Sequence, residues 1–309
     1  MGNTIEGEGI LSKRSTTQLP EWSVGLGLIA ANFFFGSNVI AVKQIAPRLI
    51  APTGLSFARM FFTAILLLGL GLFKKQKTII DRKDYPILFF AALLGISGNQ
   101  LFSIYGISLT NPIHASLLIM ATPIIVSVLA AVLMKENFGK YKVIGLLLGV
   151  TGATLLIMLR GTASTKTATV VGDLMVIGGA FCYSGYLILI RSISSKYSTL
   201  CILRIVFITG ALCSLPFSIK PFISAQWSQF ALVDWYSLFH VVILATFCAY
   251  LLMNYGVTRW GPSKTGSFIY FQPLFGTLSA VVMVHQTINL TILSAASLII
   301  LGVIVTMRK

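Results

Sequence analysis

Charged side chains interrupt the apolar pattern of this chain only at wide intervals, and the stretches between them set its architecture. Charge-free runs cover residues 22–42, 85–134, 143–159, 174–190, 205–219, 235–258 and 265–307. An acid or base at bilayer depth costs about 2.5–3.5 kcal/mol on insertion scales, so such runs mark where a chain can cross hydrocarbon. Two of them are about twice the ~20 residues that one span needs. Each must fold back once, at Thr110-Asn111-Pro112 and at His285-Gln286-Thr287. With the segment around Arg59 added, the pattern predicts helices at 22–43, 53–73, 85–106, 112–134, 142–160, 171–191, 198–219, 235–257, 264–284 and 288–307. Outer-membrane strands would be about ten residues long and alternate polar with apolar, which these runs do not. The predicted fold class is an all-α integral membrane protein with ten transmembrane helices.

Composition agrees with this reading. Of 309 residues, 56% are hydrophobic and 10% charged, against about 25% charged in a soluble domain. Ten spans leave only short connections and no space for a separate soluble domain. Residues 1–21 are polar and lack the apolar core of a cleavable signal peptide, so they are expected to form a cytoplasmic N-terminal tail before an uncleaved first helix. Short cytoplasmic loops carry the Lys and Arg excess. An inside N-terminus places 16 of the 23 bases on the inner side, so both termini are expected in the cytoplasm. The net charge of +15 is spread over those loops instead of forming the basic face that nucleic acid requires, so no nucleic-acid partner is expected. Topology and attraction to anionic membrane lipid account for it.

The chain also repeats itself. Tyr105-Gly106 matches Tyr255-Gly256, Pro112 matches Pro262, Pro123 matches Pro273 and Gly152 matches Gly302, all at an offset of 150. Near the same offset, Phe35-Gly36 with Lys43 aligns with Tyr183-Ser184 and Arg191, and Arg59 aligns with Arg204. Each half, 22–160 and 171–307, therefore holds five predicted helices. Five is odd, so the second half starts on the opposite side of the membrane and the repeats are inverted. Such halves can exchange conformations and alternate access to a site between them.

The string Asn32-Phe33-Phe34-Phe35-Gly36-Ser37-Asn38 running to Lys43, the Pro52 to Arg59 pair, the run Ala115-Ser116-Leu117-Leu118 to Pro123, then Lys135-Glu136-Asn137 and Gly145 to Gly152, together resemble the EamA-type domain. The pattern recurs from Gly172-Asp173 to Gly302, so the resemblance covers nearly everything beyond residue 21. It is similar to the ten-helix members of the drug/metabolite transporter superfamily. The resemblance implies a bacterial inner-membrane secondary transporter exporting a small metabolite such as an amino acid. Two departures stand out: Phe35 occupies a place where the family often has Trp, and Gln286 stands opposite Glu136 where an acid is common.

The chemistry-bearing residues point to binding instead of catalysis. The three histidines have no metal-ligand spacing, and no phosphate-binding Gly-rich loop with Lys-Ser/Thr is present, so no catalytic residue, metal or cofactor is assigned. The cysteines Cys182, Cys201, Cys213 and Cys248 read as small apolar core groups. Polar side chains deep in helices should turn inward, because lipid satisfies none of them. Asn99 with Ser103, and Tyr250 with Asn254, are spaced i, i+4 and share a helix face. Asn32 shares a face with Phe35, and Asn38 is expected to point elsewhere. Tyr183, Tyr186, Tyr270 and Gln272 complete the substrate-binding candidates, each of which could equally be an interhelical hydrogen bond. Arg59, Arg204 and His114 are the candidates for coupling or gating. For the two arginines, anchoring by snorkelling and contact with an anionic substrate group are both open. Gly145-x-x-x-Gly149 marks a close helix crossing, within one protomer or in a homodimer. The expected partners are a small-molecule metabolite and membrane lipid. An intramembrane enzyme and a non-transporting scaffold are the rival readings.

Overall fold

The structure is a computed structural model and describes residues 20–73, 80–109, 118–137, 139–158, 170–284 and 290–308. Among these residues every regular element is helical, as hydrocarbon demands, since a helix pairs its own backbone groups. Helix α1 spans Glu21–Ile45 and α2 Pro52–Phe73, with proline at a first-turn position where its missing N–H costs nothing. Helix α3 runs as Tyr85–Ala92, widens into a π-turn over Leu93–Gly98 and resumes as Asn99–Leu109. Helices α4 (Thr122–Met134), α5 (Lys140–Met158), α6 (Val170–Ile193) and α7 (Thr199–Ile223) follow. Helix α8 is built like α3: Leu232–Phe239, a π-turn over His240–Cys248, then Ala249–Trp260. Helix α9 is Pro262–Ser267, a 3-10 turn Phe268–Tyr270 and Phe271–Val284; α10 is Leu290–Met307.

Six of these stretches are long and apolar enough to cross a membrane, namely Glu21–Val42, Pro52–Gly71, Arg82–Ser103, Val170–Ile193, Thr199–Ile223 and Leu232–Trp260. Thr122–Met134 and Leu293–Met307 are shorter apolar helices. The chain is a multi-pass membrane protein by this measure. The turn expected at Thr110-Asn111-Pro112, the turn at His285-Gln286-Thr287, the N-terminal tail and His114 lie outside the described residues.

Packing partners recur at matching places along the chain. Helix α1 packs on α8 and α9, as α6 packs on α3 and α4. Helix α2 meets the π-turn of α8, as α7 meets that of α3, while α2 lies along α7 and α5 along α10. Two carboxylates carry the same correspondence. Asp84, just before α3, is 3% exposed and accepts from Lys196 Nζ at 3.0 Å and from Tyr197 Oη at 2.7 Å. The Asp84 hydrogen bonds hold both the Lys196 ammonium and the Tyr197 hydroxyl above their ordinary pKa values. Asp234, 150 residues on in α8, is 1% exposed and accepts from Gln44 Nε2 at 3.2 Å, from the Ala231 N–H at 2.9 Å and from the Arg48 guanidinium. Each acid ties the start of one helix to the connection that follows α6 or α1.

The Gly145-x-x-x-Gly149 stripe packs within the chain, against Gly302 of α10. A Cβ placed on Gly302 would lie 2.6 Å from Gly149 N and 2.7 Å from Gly145 O, backbone atoms that cannot turn aside. Gly302→Leu is therefore expected to cost about 1–3 kcal/mol or more through overpacking. Gly69→Leu, whose Cβ would meet nothing within 4 Å, should change stability by less than about 0.5 kcal/mol. Thermal melts of the two detergent-solubilised variants check this, and equal melting would refute the assigned crossing.

Candidate functional site

Three buried apolar clusters fill the interior, and two of them bear on the site. One gathers α2, α3, α6 and α7 with Tyr250 and Val257 of α8, around Tyr186, Phe207 and Tyr250; another gathers α1, α5, α9 and α10 with Ala249 and Met253 of α8, around Leu28, Phe268 and Tyr270. Phe35 of α1 and Tyr183 of α6 pack against both. Between the clusters lies a cavity of about 260 Å³, near the lower end of the roughly 300–1,000 Å³ of small-molecule sites. The first half of the chain contributes Phe35, Asn38, Arg59, Asn99, Gln100, Ser103, Ile119 and Thr122 to its wall, and the second contributes Ala180, Tyr183, Tyr250, Ile269 and Gln272.

The aromatic side of the wall is organised around Tyr250. Its ring meets Phe35 at 5.9 Å, Tyr183 at 6.4 Å, Tyr186 at 6.1 Å and Phe207 at 5.2 Å between centroids, mostly edge to face, the arrangement that ring quadrupoles favour. The Tyr186 ring fits because α3 carries glycine at 95, where a Cβ would fall 2.2 Å from that ring.

Hydrogen bonds fix the polar side. Asn99 Nδ2 donates to the Gly179 carbonyl at 2.9 Å, tying α3 to α6. Gln272 Nε2 donates to Asn32 Oδ1 at 3.1 Å, and Asn32 Nδ2 donates to the Leu28 carbonyl at 2.7 Å. Arg59 Nε donates to Thr246 Oγ1 at 2.9 Å, and the same hydroxyl donates to the Val241 carbonyl at 2.6 Å. The π-turn of α8 thus holds Arg59 in place; single widened turns of this kind are frequent at functional sites. Arg59 is the one charged residue on the wall, and no carboxylate lies on it among the described residues.

Seven sequence candidates therefore reach the cavity: Phe35, Arg59, Asn99, Ser103, Tyr183, Tyr250 and Gln272. Asn32 stands one hydrogen bond behind Gln272 and is fully buried. Tyr186 and Asn254 form a buried pair, hydroxyl to amide, at 2.8–3.0 Å. Tyr270 is 1% exposed, with its ring against Gly149. Arg204 packs over Gly71 of α2 and does not line the cavity, unlike its counterpart Arg59. Asn38, expected to point elsewhere, is on the wall. The spacing from Phe35 to Asn38 is i, i+3, which puts both on one face, so the signal was present. Gln100 and Thr122 were not anticipated, because Gln100 adjoins Asn99 and only the curvature of the wall brings both to the cavity.

A separate recess of about 330 Å³ is lined by Glu136, Lys142, Trp260, Lys264 and Arg308, with Lys142 Nζ 3.5 Å from Glu136. It shares no lining residue with the central cavity. The four cysteines are free, and no cluster that could hold a metal ion occurs among the described residues.

Comparison with known proteins follows the same two halves. Residues 22–158 and 170–308 each match the EamA-like transporter family. An uncharacterized transporter of Bacillus subtilis (strain 168), YetK, is 24% identical over 287 residues, covering 92% of this chain and 86% of its own. An uncharacterized transporter of Archaeoglobus fulgidus is 23% identical, covering 89% and 95%. The chloroplastic WAT1-related protein At3g02690 of Arabidopsis thaliana is 24% identical, covering 91% and 67%. A solved crystal structure superposes with a TM-score of 0.76 at 20% identity over 93% of this chain and 97% of its own, a likeness of fold.

The hydrogen bonding separates wall residues from those that only hold it. Asn254→Leu leaves the Tyr186 hydroxyl buried without its amide and is expected to cost about 1–3 kcal/mol. Val132→Ala, at a side chain 70% exposed on α4, should cost less than about 0.5 kcal/mol. Denaturation of the purified variants measures both, and a neutral Asn254→Leu would contradict the structural role.

Proposed function

The chain belongs to the EamA-like transporter family, and from that premise we propose that it is a secondary transporter moving a small organic metabolite, with an amino acid as the leading substrate. Its ten helices form two inverted five-helix repeats, and transport runs by alternating access around the central cavity. The direction is outward across a bacterial cytoplasmic membrane, with both termini in the cytoplasm. Two of the relatives named above, those of Bacillus subtilis and Archaeoglobus fulgidus, are themselves called transporters, which favours transport over an enzymatic or scaffolding role.

One observation carries this reading: the cavity wall is polar, aromatic and drawn from both matched halves, while the packing around it is apolar. Hydrogen bonds within the protein offset part of the cost of polar groups at such depth, and a polar occupant or water would offset more. The correspondence of packing partners between α1–α5 and α6–α10 supports halves that can exchange arrangements, since the closing of one side then has a counterpart on the other. An apolar stem would rest on Phe35, Tyr183 and Tyr250, and amides at Asn99, Gln100 and Gln272 would orient the polar end.

Two experiments test it. In a variant freed of native cysteines, thiols introduced at Lys140 and Lys264 are expected to label from the cytoplasm and one at Lys220 from outside; any reversal overturns the inverted arrangement. In proteoliposomes loaded with amino acids, counterflow should fall at least tenfold in Tyr183→Ala and Gln272→Ala at equal protein content. Undiminished counterflow in both would move the transport path away from this cavity.

A further inference from the structure

We propose that the central cavity takes a small organic monocarboxylate, with the carboxylate seated on the guanidinium of Arg59; this rests on the transport reading above and names the chemical class of its substrate. Arginine stays protonated in proteins and presents its donors as a planar fork that matches a carboxylate. Here Nε is taken by Thr246, which fixes the plane of the fork while the residue remains on the cavity wall. The wall brings no carboxylate to it among the described residues. The counter-charge is thus left for the occupant to bring.

Arg204 shows what the structure does with the same residue type when no ligand is involved. It sits at the matching place in the second half but packs over the backbone of α2 at Gly71. Arg59 is held inward by a hydroxyl that belongs to a widened turn. Snorkelling therefore does not describe Arg59.

The charge balance selects the class further. One cation among neutral amides, hydroxyls and rings matches a single negative charge, whereas a phosphate monoester near its dianionic state would bury excess charge. Asn38 adds a second feature: its Oδ1 is buried beside the cavity with no hydrogen-bond partner among the described residues. An acceptor so placed suits an N–H of the same ligand.

The test is ligand-induced thermal stabilisation of the purified full chain in detergent. The probes are L-leucine, L-phenylalanine, isocaproate and 3-phenylpropionate, each beside its carboxamide, with phenyl phosphate as the dianion. At least one acid should stabilise the protein with at least tenfold higher apparent affinity than its carboxamide. Arg59→Gln should abolish that difference and Arg59→Lys retain part of it. Carboxamides binding as well as the acids, no stabilisation by any acid, phenyl phosphate acting where the acids do not, or undiminished acid binding in Arg59→Gln would each overturn the proposal. If Arg59→Gln does not fold, the acid and carboxamide comparison on the unaltered protein decides alone. Counterflow of the stabilising acid is read separately: selective binding without flux leaves the anion site standing and removes the transport reading.

Discussion

Within hydrocarbon a backbone N–H or C=O has no water to bind, and everything else in this protein follows from meeting that demand. Helices meet it along most of the chain. Among the described residues, the two places where the ladder widens, Leu93–Gly98 and His240–Cys248, are correspondingly informative. Side chains attend both: Ser97 donates to the Gly210 carbonyl at 2.9 Å, and Thr246 donates to Val241. In the first, the glycine at 95 lets Tyr186 lie against the backbone; in the second, Thr246 has a further lone pair for Arg59. The widened turns therefore connect backbone satisfaction to the wall of the cavity.

The matched halves use the same devices for support and different ones for the site. Asp84 and Asp234 are counterparts, each buried and each paired to a base in the connection after α6 or α1. A buried carboxylate stripped of its cation would be costly, so these ties fix where α3 and α8 begin. Arg59 and Arg204 are counterparts only in position. If the halves alternate around the cavity as proposed, similar scaffolds would let them move alike, whereas a ligand with unlike ends would need an unlike wall. The single charge of Arg59, on a wall whose second-half residues are neutral, is such an inequality.

The six described spans that are long and apolar enough to cross a membrane were readable in the sequence, because the bilayer penalty acts on each charge locally, whatever the neighbours. The boundaries expected at 22–43 and 53–73 lie within a few residues of Glu21–Ile45 and Pro52–Phe73. The offset of 150 was equally legible, since Pro123 and Pro273 or Gly152 and Gly302 need only be counted. Of the site, the sequence offered polar residues at depth but not their orientation. Asn254, Tyr186 and Tyr270 satisfied the same criteria as Gln272 and yet serve the packing behind the wall.

What the sequence determined alone was a helical membrane protein of two related halves, together with the residues too polar to face lipid. What only the tertiary structure decided was which of those residues share one cavity. Arg59 and Arg204 are alike in sequence position, and Asn32 and Asn38 are amides of one helix; the difference lies in what packs beside them. Thr246, nearly two hundred residues away in the chain, holds one arginine inward, and Gly71 receives the other. Partners at such separation leave no periodicity in the sequence, because spacing within a helix fixes which residues share a face but not which segment that face meets.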